Sequence, residues 1–70
     1  MNTAVVATDS GLVIATLDGD RVTIEQNGVL AGTGRWTGSR VEDCDARLGH
    51  EDGSQTEIVY SLIERHFAAA

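Results

Sequence analysis

The sequence predicts an α+β fold, a small antiparallel sheet of four to five strands packed by one C-terminal helix. Three observations carry it: closely spaced turn signals in the N-terminal half, strand-type segments between them, and a single helical period at the C-terminal end. Asp9-Ser10-Gly11, Asp18-Gly19 and Asn27-Gly28 separate Thr3–Thr8, Leu12–Leu17, Arg21–Gln26 and Val29–Thr37, each rich in Val, Ile, Thr or Leu. Short β-type runs joined by Gly- and Asn-containing turns read as a meander.

Face parity refines the pairing. A two-residue Asn27-Gly28 turn would pair Glu25 with Leu30 and set Leu30 among polar residues. A three-residue loop, Gln26-Asn27-Gly28, pairs Ile24 with Leu30 and aligns Val22, Ile24, Leu30 and Trp36, so the bulged turn is the expectation. Arg21, Thr23, Glu25, Ala31, Thr33, Arg35 and Thr37 then form the solvated face. Gly32 and Gly34, on the Trp36 face, would leave room for the helix or the indole. The second strand is apolar on both sides, which suits a central or partly covered position.

Ser54-Gln55-Thr56-Glu57 has the form of a capping box and opens the helix. Ile58, Val59, Leu62, Ile63, His66 and Phe67 recur at spacings of three and four, with Tyr60 at the margin, and Glu57, Ser61, Glu64 and Arg65 lie opposite. Residues 39–53 show no period; they suggest an acidic connection with a short edge strand around Arg40–Cys44, anchored by Val41.

Seventy residues make one domain, 1–70, and a chain this short buries only about 60% of its unfolded surface. With one Trp, one Tyr and one Phe, its core must come from Val, Ile, Leu and Ala plus Trp36. Cys44 is the single cysteine, which precludes an internal disulfide and suits a reducing compartment. The apolar run Ala4–Ala7 is too short for a signal peptide and no membrane span is legible, so a soluble cytoplasmic protein is expected.

Charge is the strongest functional signal. Eleven Asp and Glu stand against five Arg, giving −6, and six of those acids fall between Glu42 and Glu57. Such a balance repels nucleic acid and membrane surfaces and attracts basic ones.

No catalytic or cofactor motif accompanies it. Glu42, Asp43, Cys44, Asp45, His50, Glu51 and Asp52 are metal-type ligands, but neither a Cys-x₂-Cys nor a His-x₃₋₅-His pair exists, and no metal site is expected. Asp18-Gly19-Asp20 opens like a calcium loop yet continues as a strand. Gly32, Gly34 and Gly38 lack the following helix that a phosphate loop needs. Cys44 and His50 lie among carboxylates, poor surroundings for a thiolate nucleophile. His66, on the apolar stripe, reads as a core-edge histidine. The expectation is therefore a protein without cofactor or enzymatic activity.

In size, in its few short strands with one helix, and in the acidic segment Val41-Glu42-Asp43-Cys44-Asp45, the chain resembles the small acidic proteins with which phages counter bacterial defence, in particular the type I anti-CRISPR inhibitors. That resemblance implies an inhibitor that docks on a DNA-binding surface of a CRISPR effector subunit without itself binding nucleic acid. The expected partner-binding residues, read from the density of carboxylates, are Glu42, Asp43, Asp45, Glu51, Asp52 and Glu57, because carboxylates can fill the places of phosphates on Arg and Lys. The acidic run also has a plainer reading as a solvated connection. A small regulatory or antitoxin-like partner protein, or an oligomeric structural subunit, are the alternatives.

Overall fold

Five antiparallel strands follow one another across the sheet in chain order: β1 (Asn2–Thr8), β2 (Gly11–Asp18), β3 (Arg21–Gln26), β4 (Val29–Trp36) and β5 (Val41–Glu42). Among the described residues one helix, α1 (Thr56–Ala68), packs on this sheet. The computed structural model describes residues 2–49 and 54–69. The α+β architecture and the short fifth strand at Val41 agree with the sequence reading. Among the described residues, no helix is long and apolar enough to cross a membrane.

The β3–β4 hairpin departs from the parity expectation. Asn27 (φ 54°) and Gly28 (φ 79°) form a two-residue turn with two left-handed positions, so Gln26 pairs with Val29 and Glu25 with Leu30. A turn of this hand matches the twist of the strands it joins. The bulge lies one pair further in: Ile24 faces Gly32, which makes Ala31 the extra residue. Leu30 is consequently 59% exposed rather than inside, while Val22 and Ile24 remain in the core.

Asn27 also explains why this turn prevails. Its backbone N–H donates to the Leu12 carbonyl at 2.9 Å, its Oδ1 accepts from the Leu12 N–H at 3.2 Å, and its Nδ2 donates to the Ser10 carbonyl at 2.7 Å. Two turns distant in sequence are thereby fastened together. Gly11 (φ 130°) is required at the junction, since a Cβ there would collide with the Asn27 side chain.

On the outer face, cross-strand partners run in rows. Thr3, Thr16, Thr23 and Thr33 make one, and Asp18, Arg21, Arg35 and Glu42 another. The two arginines tolerate each other because an acid flanks each on its far side. β2 is central, as its composition suggests, but its outer face is uncovered and Leu12 is 51% exposed.

The inner face carries the core: Ala4, Val13, Ala15, Val22 and Ile24 from the sheet, and Val59, Ile63 and Phe67 from the helix. The helix's buried stripe is narrower than the periodicity suggests. Ile58, Leu62 and His66 all lie outside it. Trp36 is half-buried near the end of the helix, edge-on to Phe67 at a centroid distance of 5.6 Å. The capping box does not form as read: α1 begins at Thr56, and Gln55 occupies the N-cap without a side-chain cap bond.

α1 touches both edges of the sheet. Its His66 Nε2 is 3.2 Å from Asn2 Oδ1 on β1, and Glu64 Oε2 accepts the Val41 N–H of β5 at 2.8 Å. The sheet must curl to permit both contacts, and the Glu64 carboxylate satisfies an edge-strand donor that would otherwise invite pairing.

Candidate functional site

The acidic segment leaves β5 through Asp43, whose left-handed backbone (φ 58°) turns the chain back across the inner face of β4. Two bare glycines receive it. A Cβ on Gly34 would stand 2.6 Å from Cys44 Cβ and 2.8 Å from the Glu42 carbonyl, and one on Gly32 would stand 3.0 Å from Ala46 Cβ. The room these glycines leave is therefore taken by the crossing segment, residues 43–49, rather than by the helix or the indole.

This crossing gives the segment two sides. Ala46, Leu48 and Gly49 are buried and Cys44 is half-buried, whereas Asp43, Asp45 and Arg47 face solvent. Burying Leu48 completely supplies apolar stabilisation of about 1.5–3 kcal/mol. Polar contacts fix the backbone as well. The Leu48 N–H donates to Thr56 Oγ1 at 2.9 Å, and the Gly49 N–H donates to Gln26 Oε1 at 2.8 Å.

Tyr60 completes the clamp from the helix. Its hydroxyl lies 3.0 Å from the Ala46 carbonyl, 3.3 Å from the Cys44 carbonyl and 3.1 Å from Cys44 Sγ. With one proton, it donates to one carbonyl while its oxygen remains able to accept from the thiol. Burial, then the hydrogen bond and charge of Cys44, and then the charge of Asp45, push this phenol well above its ordinary pKa.

The expected partner-binding acids fall into two groups and a remainder. Glu42 and Asp43 converge on Arg35, at 3.4 Å to its Nη2 and 3.6 Å to its Nε, so one guanidinium serves two carboxylates. The side chains involved are half or more exposed, and exposed pairs of this kind contribute little to stability. Asp45 and Glu57 instead flank Tyr60, one through its charge and the other one helical turn before it. Glu51 and Asp52, with His50, lie outside the described residues.

A concavity of about 360 Å³ lies beside the second group, lined by Arg40, Val41, Glu57, Tyr60, Ser61 and Glu64. Glu64 and Tyr60 are the residues sequence reading underused. Glu64 lay on the polar side of the helical wheel, and only the return of β5 to the helix gives it an inward partner. Its spacing from Glu57 and Tyr60, seven and four residues, is the signal that places all three on neighbouring turns.

Chemically, the arrangement offers carboxylates, a guanidinium and a phenol at the surface. Among the described residues, no group of three His, Cys, Asp or Glu side chains is placed to hold a metal ion. No protein-family model, characterised protein or solved structure matches the chain.

Proposed function

We propose that this chain is a non-enzymatic binding protein whose carboxylates engage a basic, nucleic-acid-binding surface of a protein partner and exclude the nucleic acid from it. The acids that act are Glu42, Asp43 and Asp45 on the crossing segment and its entry, Glu57 on α1, and Glu51 and Asp52 in the stretch between. The resemblance of the sequence to type I anti-CRISPR inhibitors directs the reading to a CRISPR effector subunit.

The observation that carries this reading is the anchoring of the acidic segment. Asp43 and Asp45 project from a backbone held by Leu48, Tyr60, Thr56 and the two glycines of β4. A merely solvated connection has no need of such anchorage. Carboxylates on a fixed backbone lose less freedom on binding, and their field steers a basic partner toward them.

The test is competition. A type I effector complex holding labelled target DNA is titrated with the chain, and with a variant carrying Glu42→Gln, Asp43→Asn, Asp45→Asn and Glu57→Gln. Asn is chosen at position 43 because it tolerates the left-handed backbone. The wild type is expected to release DNA stoichiometrically, with potency that falls as salt rises, and the variant to be weaker by about tenfold or more while keeping its fold. DNA retention in the presence of the wild type, or equal potency of the variant, would overturn the reading.

A further inference from the structure

A second face of α1 takes no part in the core, and of the acids assigned to the partner surface only Glu57 borders it. On a helical wheel, the buried stripe Val59–Ile63–Phe67 is opposed by Ile58, Ser61, Leu62 and Arg65, with Glu57 at the margin. Ile58 is 64% and Leu62 40% exposed. With Glu57, Ser61 and Arg65, they line a shallow concavity of about 300 Å³ along the outer side of the helix.

The stripe is complementary to itself. Its acid lies in the first turn and its base in the last, with the small Ser61 midway between Glu57 and Arg65. Two such helices laid antiparallel, with a two-fold axis between Ser61 and Leu62, bring Ile58 against the Arg65 stem of the other copy. Glu57 then lies beside that copy's guanidinium. The two-fold repeats the pair, so both ends of the contact are matched in charge and the apolar middle is covered. Antiparallel alignment also opposes the helix dipoles favourably.

We infer that the outer face of α1 is an isologous interface through which two copies of this chain associate. A single stripe on a 13-residue helix is smaller than the roughly 800 Å² per partner of a durable interface, so the association is weak, with a dissociation constant on the order of 100 µM. The crossing segment lies on the other side of the helix axis and stays uncovered in such a pair.

Sedimentation equilibrium from about 10 µM to about 1 mM brackets that constant and tests the inference. The wild type is expected to shift from monomer to dimer over this range. Ile58→Glu with Leu62→Glu, both at exposed positions, should weaken association about tenfold or more. Glu57→Arg and Arg65→Glu should each do the same, and the two combined should restore it to within about threefold, since the swap rebuilds both pairs. Circular dichroism confirms folding of each variant, and the Ile58/Leu62 variant decides the matter should the charge swaps unsettle the helix. A wild type that stays monomeric overturns the inference. So does a dimer indifferent to the Ile58/Leu62 change, which would move the contact to the exposed sheet face around Val5, Leu12 and Leu30.

Discussion

The meander β1–β4 and the crossing segment 43–49 contribute side chains to one core but are specified differently. In the meander, alternation and turn residues state the structure locally, and each strand's ladder confirms its neighbour's register. Although Asp43, Asp45 and Arg47 alternate with Cys44, Ala46 and Leu48 in a strand-like period of two, the crossing segment has no ladder. It is held by what β4 leaves out at Gly32 and Gly34, and by side-chain groups of Gln26, Thr56 and Tyr60. A segment without a hydrogen-bonded ladder can thus be held in place when several distant residues each supply one constraint.

The largest expected effect tests that anchorage. Ile24 in the meander and Leu48 in the crossing segment are both wholly buried. Truncating either to Ala should cost about 2–5 kcal/mol in chemical denaturation, and the two losses should agree within a factor of about two. A Leu48→Ala protein as stable as the wild type would demote the segment to a surface strap. Next in size is Gly34→Ala. The added Cβ meets backbone and Cβ atoms that cannot swing away, so the overpacking cost is about 1–3 kcal/mol. Gly38→Ala, where a Cβ meets nothing within 4 Å but φ is 103°, isolates the cost of backbone strain alone.

Strand order, the edge strand at Val41 and the helix were legible because periodicity and turn chemistry act over a few residues. Parity alone misreads the hairpin because it assumes an unbroken register beyond the turn: it sets Leu30 inward, whereas the structure keeps the tight turn and restores parity with a bulge at Ala31. The bonds from Asn27 to Ser10 and Leu12 that favour this turn span β2 and β3, beyond any local window. The glycines of β4 do make room, but for the crossing segment rather than for the helix or the indole that the sequence reading names; the alternation of Asp43, Asp45 and Arg47 with Cys44, Ala46 and Leu48 is the signal that marks the segment as packing. Density alone singles out the acids Glu42, Asp43, Asp45 and Glu57 in the sequence. Their division between Arg35 and Tyr60 depends on where β5 and α1 return.

Tyr60 gives the smallest effect and sharpens the comparison from the helix side. Its phenol is raised in the folded protein above the ordinary value of about 10. The folded state therefore holds this proton more tightly than the unfolded one. The resulting stabilisation is complete below about pH 10 and declines as pH climbs beyond it. Tyr60→Phe should remove that alkaline decline and cost about 0.5–1.5 kcal/mol at neutral pH through the lost hydrogen bond. An unchanged alkaline profile would show that the hydroxyl does not hold the crossing segment.

The anchorage of the acidic segment is most directly tested by amide hydrogen exchange at Val41, Leu48 and Gly49, whose N–H groups donate to Glu64, Thr56 and Gln26 side chains rather than to a strand ladder. The expected result is exchange slowed by about 100-fold or more relative to an unstructured peptide, in company with Val13 and Ile24 of the sheet. Exchange of Leu48 and Gly49 at the unstructured rate, with Val13 and Ile24 still protected, would contradict the account and leave the acids on a loose connection.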